Sequence, residues 1–470
     1  MSQPSRPFSS AASLPHILLI PSAGMGHLVP FVRLATALSI RRITVSILAA
    51  RPTVSAAESH LLSSLPSSIP IVDFPLAPLD PSYFPPSSDP FYLHYEALRR
   101  SAHLLPPLLS VTGTSFSALI IDVSITSTFL PVASAANIPC FLLFTSSASM
   151  FALYSSIPSL SLSSAEFNIA GVLKIPNSSL PPPLRDPTNL FTTQLVDNSR
   201  ALPLSQGILI NTFPALETEV LTAFNSGHIV PGFPPVIAVG PLPPLGNLAE
   251  KQPPGASQAM RWLDQQPERS VMYVSFGSRT ALPTDQIREL GAGLEMSGCR
   301  FLWVVKSTKV DREETGEIEE LVGKGYSGRV EGRGLVVREW VEQVAVLGHR
   351  AVAGFLSHCG WNSVMEAAAA GVTVLAWPRT ADQRVNAALV ARRGVGVWPE
   401  HWVWEADEGV VAAEEIGNKV REVMRNQRMR ETAAKLVAEA TVEQDGSSDA
   451  SKAMLSWPSL SRLLNCPSLR

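Results

Sequence analysis

Residues 340–383 read WVEQVAVLGHRAVAGFLSHCGWNSVMEAAAAGVTVLAWPRTADQ, and one short piece of that stretch decides the fold. Residues 353–357 (AGFLS) are an apolar run of strand type, and residues 364–370 (VMEAAAA) are an Ala-rich run that favours helix. The turn between them, His358-Cys359-Gly360-Trp361-Asn362-Ser363, therefore ends a strand and starts a helix. A helix start presents unpaired N–H groups at the positive end of the macrodipole, where a diphosphate is favoured. By themselves Asn362 and Ser363 read as an ordinary cap after a buried strand. Two neighbours argue for more than a cap. Glu366 lies three residues beyond Ser363, one turn along the same face and within reach of a ribose diol. Trp340 is a flat aromatic surface of the kind that stacks on a uracil ring. Together with the closing acid-amide pair Asp382-Gln383, which can face a sugar, they describe a site for a nucleoside diphosphate sugar.

Outward from this turn, strand-type runs alternate with helix-type runs along the whole chain. In the first half the strand-type runs are residues 16–21, 43–49, 118–123 and 140–144. In the second half they are residues 271–276, 301–305, 335–337, 354–356 and 372–376. Such alternation predicts an α/β protein with parallel sheets covered by helices on both faces. A chain of 470 residues exceeds one core. Residues 239–257 (VGPLPPLGNLAEKQPPGAS) are rich in Pro and Gly and read as a linker. The expected division is a first Rossmann-like domain over 1–240, a linker over 241–257 and a second Rossmann-like domain over 258–470, whose last helix packs back on the first. Residues 77–90 and 178–187 are Pro-rich and read as irregular loops.

With 46% hydrophobic and 16% charged residues and a net charge of −3, the chain can bury large cores but has no basic stripe. That argues against a nucleic-acid partner. Cys140, Cys299, Cys359 and Cys466 form no CxxC pair or Cys/His cluster, which argues against structural zinc and a disulfide framework. The apolar run at residues 17–20 is shorter than an export signal, and no stretch reaches the roughly 18 to 20 apolar residues of a membrane helix. The expectation is a monomeric cytoplasmic protein with no membrane span, no metal and no bound cofactor.

Gly24-Met25-Gly26-His27 follows the first strand and opens a helix. A dinucleotide fingerprint needs a third glycine where Val29 stands, and no acidic residue closes the second strand, so a nicotinamide oxidoreductase is disfavoured. The glycines instead admit a ligand close to the backbone, with His27 at the C-terminal edge of the sheet. A lone His at a helix start is more often a structural capping residue, and the odds become roughly even once it sits at a strand-to-helix switch point. A His base needs a carboxylate to hold its tautomer, and Asp122, at the end of the run 118–121, reaches the same rim. Asp122 also reads as a cap for the segment from Thr126.

The 340–383 window, gap-free from its opening Trp to its closing Gln, resembles the signature box of plant family-one UDP-dependent glycosyltransferases. The resemblance implies a GT-B fold, two Rossmann-like domains facing each other across a cleft. It implies that Trp340 stacks on uracil, that Gln343 and Glu366 hold the ribose, and that His358, Asn362 and Ser363 hold the diphosphate. Trp361, Asp382 and Gln383 then face the sugar, and a final Gln implies glucose. Val341, Gly360 and Ser278 complete the implied donor site. Val341-Glu342 departs from the usual Ala-Pro, which frees φ and an N–H in the loop that frames the base; Thr373 also stands where Pro is usual. PSAGMGHLVP resembles the family segment holding the catalytic base, and Asp122 matches the position of its partner. Animal relatives carry a C-terminal membrane anchor, whereas this sequence ends in PSLSRLLNCPSLR.

Residues 89–91 (DPF), 95–102 (YEALRRSA) and 275–279 (SFGSR) resemble the plant flavonoid C-glucosyltransferases. In that subgroup the positions of Asp89 and Arg279 handle the acceptor, with Phe91 beside them; residue type alone reads these equally as a loop cap and a solvated Arg. The implied acceptor is a phloroglucinol-type phenol. A phenol near pKa 10 and an imidazole near 6.5 make proton transfer uphill by roughly 5 kcal/mol unless Asp122 raises the basicity of His27 or the acceptor is more acidic. O-glucosylation of a phenol and a catalytically silent sugar-nucleotide binder remain as alternatives, the second opposed by the presence of both His27 and Asp122.

Overall fold

The computed structural model describes residues 15–84, 90–111, 116–245, 257–277, 280–306, 317–339, 341–403 and 409–444. The first half holds β1 (His16–Ile20), β2 (Thr44–Arg51), β3 (Ile71–Pro75), β4 (Ala118–Asp122) and β5 (Cys140–Phe144). A hairpin of β6 (Glu166–Ile169) and β7 (Leu173–Pro176) follows, then β8 (Ile208–Ile210) and β9 (Val236–Ala238). The second half holds β10 (Val271–Ser275), β11 (Arg300–Val304), β12 (Gly334–Val337), β13 (Val352–Ser357), β14 (Thr373–Ala376) and β15 (Gly396–Val397).

The strands form two large sheets, ordered β3-β2-β1-β4-β5-β8-β9 and β12-β11-β10-β13-β14-β15. Every neighbouring pair in both is parallel. Each sheet therefore reverses direction of strand addition once, between β1 and β4 and between β10 and β13. A crevice opens at such a reversal, beyond the C-terminal ends of the strands.

Helices cover both faces because both faces are apolar. Leu18 and Ile20 enter one core of the first sheet while Ile17 and Leu19 enter the other. Val271 and Tyr273 are divided in the same way from Met272 and Val274 in the second sheet. The two halves share apolar contacts as well. Phe213 and Leu216 of the first half belong to the same buried cluster as Ala433 and Leu436 of the last described helix, Gln427–Gln444. That helix packs on helix Trp361–Ala370 and on helix Pro214–Asn225 of the first half. No described helix is long and apolar enough to cross a membrane.

The central strands coincide with the apolar runs of the sequence to within one or two residues at most ends. β3, β8, β9, β15 and the hairpin were not anticipated: β8, β9 and β15 span only two or three residues, and in β3, β6 and β7 Asp73, Asn168 and Lys174 interrupt the apolar run. Residues 246–256 of the expected linker lie outside the described residues.

Candidate active site

β1 and β4 are neighbours with Ile20 paired to Ile121, so the residues that follow them emerge together at the first crevice. Gly24 adopts φ 92°, a conformation that glycine alone adopts freely, and turns the chain into helix Met25–Ile40. His27 lies in its first turn, with Nδ1 2.8 Å from Asp122 Oδ2. Asp122 is fully buried. Its other oxygen, Oδ1, accepts hydrogen bonds from Ser124 N at 2.9 Å and Ser124 Oγ at 2.6 Å. Burial pushes the Asp122 carboxyl toward the neutral form, but the His27 ring and the Ser124 donors outweigh it and hold the pKa below the ordinary carboxylate value. An ionised carboxylate accepts only, so Nδ1 carries the imidazole proton and Nε2 is the basic nitrogen.

Other groups fix this loop. Tyr95 accepts from Ser22 Oγ at 3.2 Å, donates to Ala23 O at 3.3 Å, and sets its ring edge-on to His27 at 5.7 Å between centroids. The buried Glu58 carboxylate accepts from Gly24 N and, at 3.0 Å, from Val54 N. None of these supports was visible in the sequence, since the tertiary fold alone brings them to residues 22–24.

The second crevice is built alike. Ser275 pairs with Ser357 across β10 and β13, which sets Gly277 beside His358. A Cβ at Gly277 would stand 2.7 Å from His358 Nε2, and one at Gly360 would stand 2.6 Å from it. The two glycines thus leave room for the ring. Cys359 between them takes φ 62°, held by its N–H to Ser357 Oγ at 3.1 Å and by Asn386 Nδ2 donating to its carbonyl at 3.1 Å. Gly360 then caps helix Trp361–Ala370 and, having no side chain, makes no cap bond of its own to the first turn. His358 Nδ1 and Asn362 Oδ1 are buried with no hydrogen-bond partner among the described residues. Burial lowers the His358 pKa to about 4, so the ring is neutral near pH 7.

Gln343 Nε2 donates to Ser363 Oγ at 2.9 Å and to Glu366 Oε2 at 2.7 Å, which joins the two expected ribose ligands directly. Glu366 Oε1 is paired with Arg33 Nη2 of the first half, a buried residue that the sequence did not single out. Val341 is buried in the second half's core. Glu342 shows one side to solvent; desolvation of the other, then the Glu366 charge, raises its carboxyl pKa, while Arg33 opposes both.

At the expected sugar end, Asp382 Oδ2 accepts from Ser146 Oγ of the first half and from Asn386 Nδ2 at 2.9 Å. Gln383 Oε1 accepts from Arg379 N at 2.7 Å and Thr380 N at 2.9 Å, so this amide also shapes its own turn. The Trp361 indole is packed in the core and donates to Asn211 O at 2.7 Å. Asn362 Nδ2 crosses to Gly26 O at 3.4 Å. Pro30, four residues on, has no N–H with which to make the usual helical bond to that carbonyl. Trp340, Ser278, Arg279 and Asp89 lie outside the described residues, as does the side chain of Phe91 in the first turn of helix Pro90–Arg100.

The UDPGT family, UDP-glucoronosyl and UDP-glucosyl transferase, matches residues 229–444. UDP-glycosyltransferase CGT of Oryza sativa subsp. japonica is 51% identical over 462 residues, 96% of this chain and 97% of that protein. The crystal structure of LpCGTa in complex with UDP is similar with a TM-score of 0.85 at 45% identity, covering 97% of this chain and all 100% of that one. The crystal structure of Medicago truncatula UGT71G1 complexed with UDP-glucose is similar with a TM-score of 0.81 at 27% identity, covering 97% of this chain and 99% of that one. Likeness of this extent, on two sheets that each open a crevice at a strand-order reversal, establishes that the chain belongs to the UDP-glycosyltransferase family and has its GT-B fold.

Proposed function

We propose that the protein is an inverting glucosyltransferase that moves glucose from UDP-glucose to a ring carbon of a phloroglucinol-type phenol, such as a 2-hydroxyflavanone or the dihydrochalcone phloretin. The observation that carries this reading is the 2.8 Å His27–Asp122 contact at a crevice whose helix touches the donor-side helix start through Asn362 and Gly26. His27 Nε2 takes the acceptor's phenolic proton, and Asp122 stabilises the imidazolium that forms. The phenolate shares its electron pair with the ortho carbon. That carbon attacks the anomeric carbon from the face opposite UDP, the C–O bond to the diphosphate breaks with its electrons leaving on UDP, and the ring proton passes to solvent while His27 returns its proton to the oxygen, which restores the aromatic phenol and the neutral base. The α-linked donor gives a β-linked product.

The charge gathering on UDP is met by the uncapped N–H groups of helix Trp361–Ala370, with His358, Asn362 and Ser363 beside them. The neutral His358 ring is an uncharged donor there. Glucose is favoured by Gln383, by the resemblance to the family's donor box and by the UDP-glucose bound in the Medicago truncatula relative. Carbon transfer is favoured by relatives that bear the name CGT and by the DPF and SFGSR segments. The test is incubation with UDP-glucose and phloretin, acid treatment and mass spectrometry. An acid-stable glucoside supports C-transfer, whereas complete release of aglycone assigns the enzyme to O-transfer, and no product at all sinks the reading.

A further inference from the structure

We propose that Arg33, on the first half, is a positioning residue for the nucleotide's ribose: by gripping Glu366 across the cleft it aims that carboxylate at the diol and ties donor binding to the helix that carries His27. The inference rests on Glu366 holding the ribose, as proposed above.

Arg33 is buried although it carries a charge, and its side chain is 5% exposed against 11% for Glu366. A guanidinium is left in such a place only with a partner, and Glu366 Oε1 supplies it. The other carboxylate oxygen, Oε2, accepts from Gln343 Nε2 at 2.7 Å, and the same Nε2 reaches Ser363 Oγ at 2.9 Å. Glu366 is therefore held from both ends. A carboxylate has about four lone-pair directions, so two donors already in place leave room for two hydroxyls and fix where they must stand. Arg33 also offsets the charge repulsion that Glu366 exerts on Glu342.

The geometry links two sites. Helix Met25–Ile40 holds His27 in its first turn and Arg33 less than two turns later. The donor half touches this helix at both places, through Asn362 at Gly26 O and through Glu366 at Arg33. A nucleotide that engages Glu366 thus engages, one residue removed, the element that places the base.

The test compares UDP with 2′,3′-dideoxy-UDP by calorimetry on the full-length protein. Wild type should bind UDP about tenfold or more tightly, the value of hydrogen bonds to a charged group. Arg33→Met, which keeps length and apolar volume, should bring the ratio of the two dissociation constants close to one while changing affinity for the dideoxy nucleotide less than about threefold. Arg33→Lys should restore part of the ratio, and Glu366→Gln should abolish it. If Glu366→Gln removes the preference and a folded Arg33→Met retains it in full, Arg33 does not position the ribose ligand and the proposal falls. A wild-type ratio near one, or one that survives Glu366→Gln, instead removes Glu366 from the ribose and overturns the donor reading with it. Should Arg33→Met fail to fold, Arg33→Lys decides alone: a ratio unchanged from wild type at a shorter reach counts against the proposal.

Discussion

Asp122 divides its two oxygens between two tasks, capping the turn at Ser124 with one and facing His27 with the other. Its substitution should consequently show in both activity and stability. Asp122→Asn keeps the shape but cannot stabilise an imidazolium, so kcat should fall well below wild type with UDP affinity nearly unchanged. His27→Ala should cost roughly a hundred- to ten-thousand-fold in turnover, also at constant UDP affinity; residual activity above about a tenth would remove His27 from the role of base. Because the folded-state pKa of Asp122 is depressed, its ionisation stabilises the fold above the unfolded value and that contribution is lost as pH falls through the lower folded value. Acid denaturation of Asp122→Asn below pH about 4 should accordingly be less steep than that of wild type. His27 and Asp122 were legible because each follows an apolar strand run, and strand ends in a parallel sheet share a rim. Arg33, Glu58, Tyr95 and Asn386 were not, since each acts through a partner far away in sequence and has a residue type common on surfaces or in cores.

The helix start at Gly360 depends on small residues on either side of His358. Gly360 has φ −57°, which any residue adopts, so Gly360→Ala is a purely steric test: its Cβ would meet the ring at 2.6 Å. We expect a stability loss of about 1–3 kcal/mol from overpacking and UDP binding weakened by about tenfold, read by denaturant titration and calorimetry. The same ring sets a pH response. The buried His358 has a pKa lowered to about 4 from an ordinary 6.5, so the unfolded chain binds the extra proton first. Between those values stability should fall with falling pH, by up to about 3 kcal/mol in all, and His358→Gln should flatten that part of the curve. An unchanged slope would mean that the ring is not desolvated in solution. At this scale the turn was legible as strand, loop and helix, but the left-handed Cys359 was not, because its conformation is imposed by Ser357 and Asn386 rather than by its own preference.

Across the molecule, the two halves meet through buried apolar side chains as well as polar contacts. Phe213 reaches into the second half's core and Val385 into the first half's. The halves should therefore unfold together, in one calorimetric transition, and Phe213→Ala should lower that single transition by roughly 3–5 kcal/mol rather than split it. Two well-separated transitions in the wild type would contradict this coupling. The two-sheet architecture was legible from alternation alone, whereas the join was not: Phe213 follows a three-residue strand in the first half's sequence and reads there as local core.

Pro30 bears on how this enzyme would respond to selection. It stands inside helix Met25–Ile40 and leaves the Gly26 carbonyl open to Asn362. Pro30→Ala would complete the helix and relieve a defect worth about 3 kcal/mol, so a screen for heat resistance should recover it readily. The repaired helix would then compete for the carbonyl that the donor half now uses. We expect such a variant to melt at higher temperature and to lose kcat/KM, a trade set by a single missing N–H. A variant that gained in both measures would show instead that evolution left an easy improvement unused at the enzyme's hinge between stability and turnover.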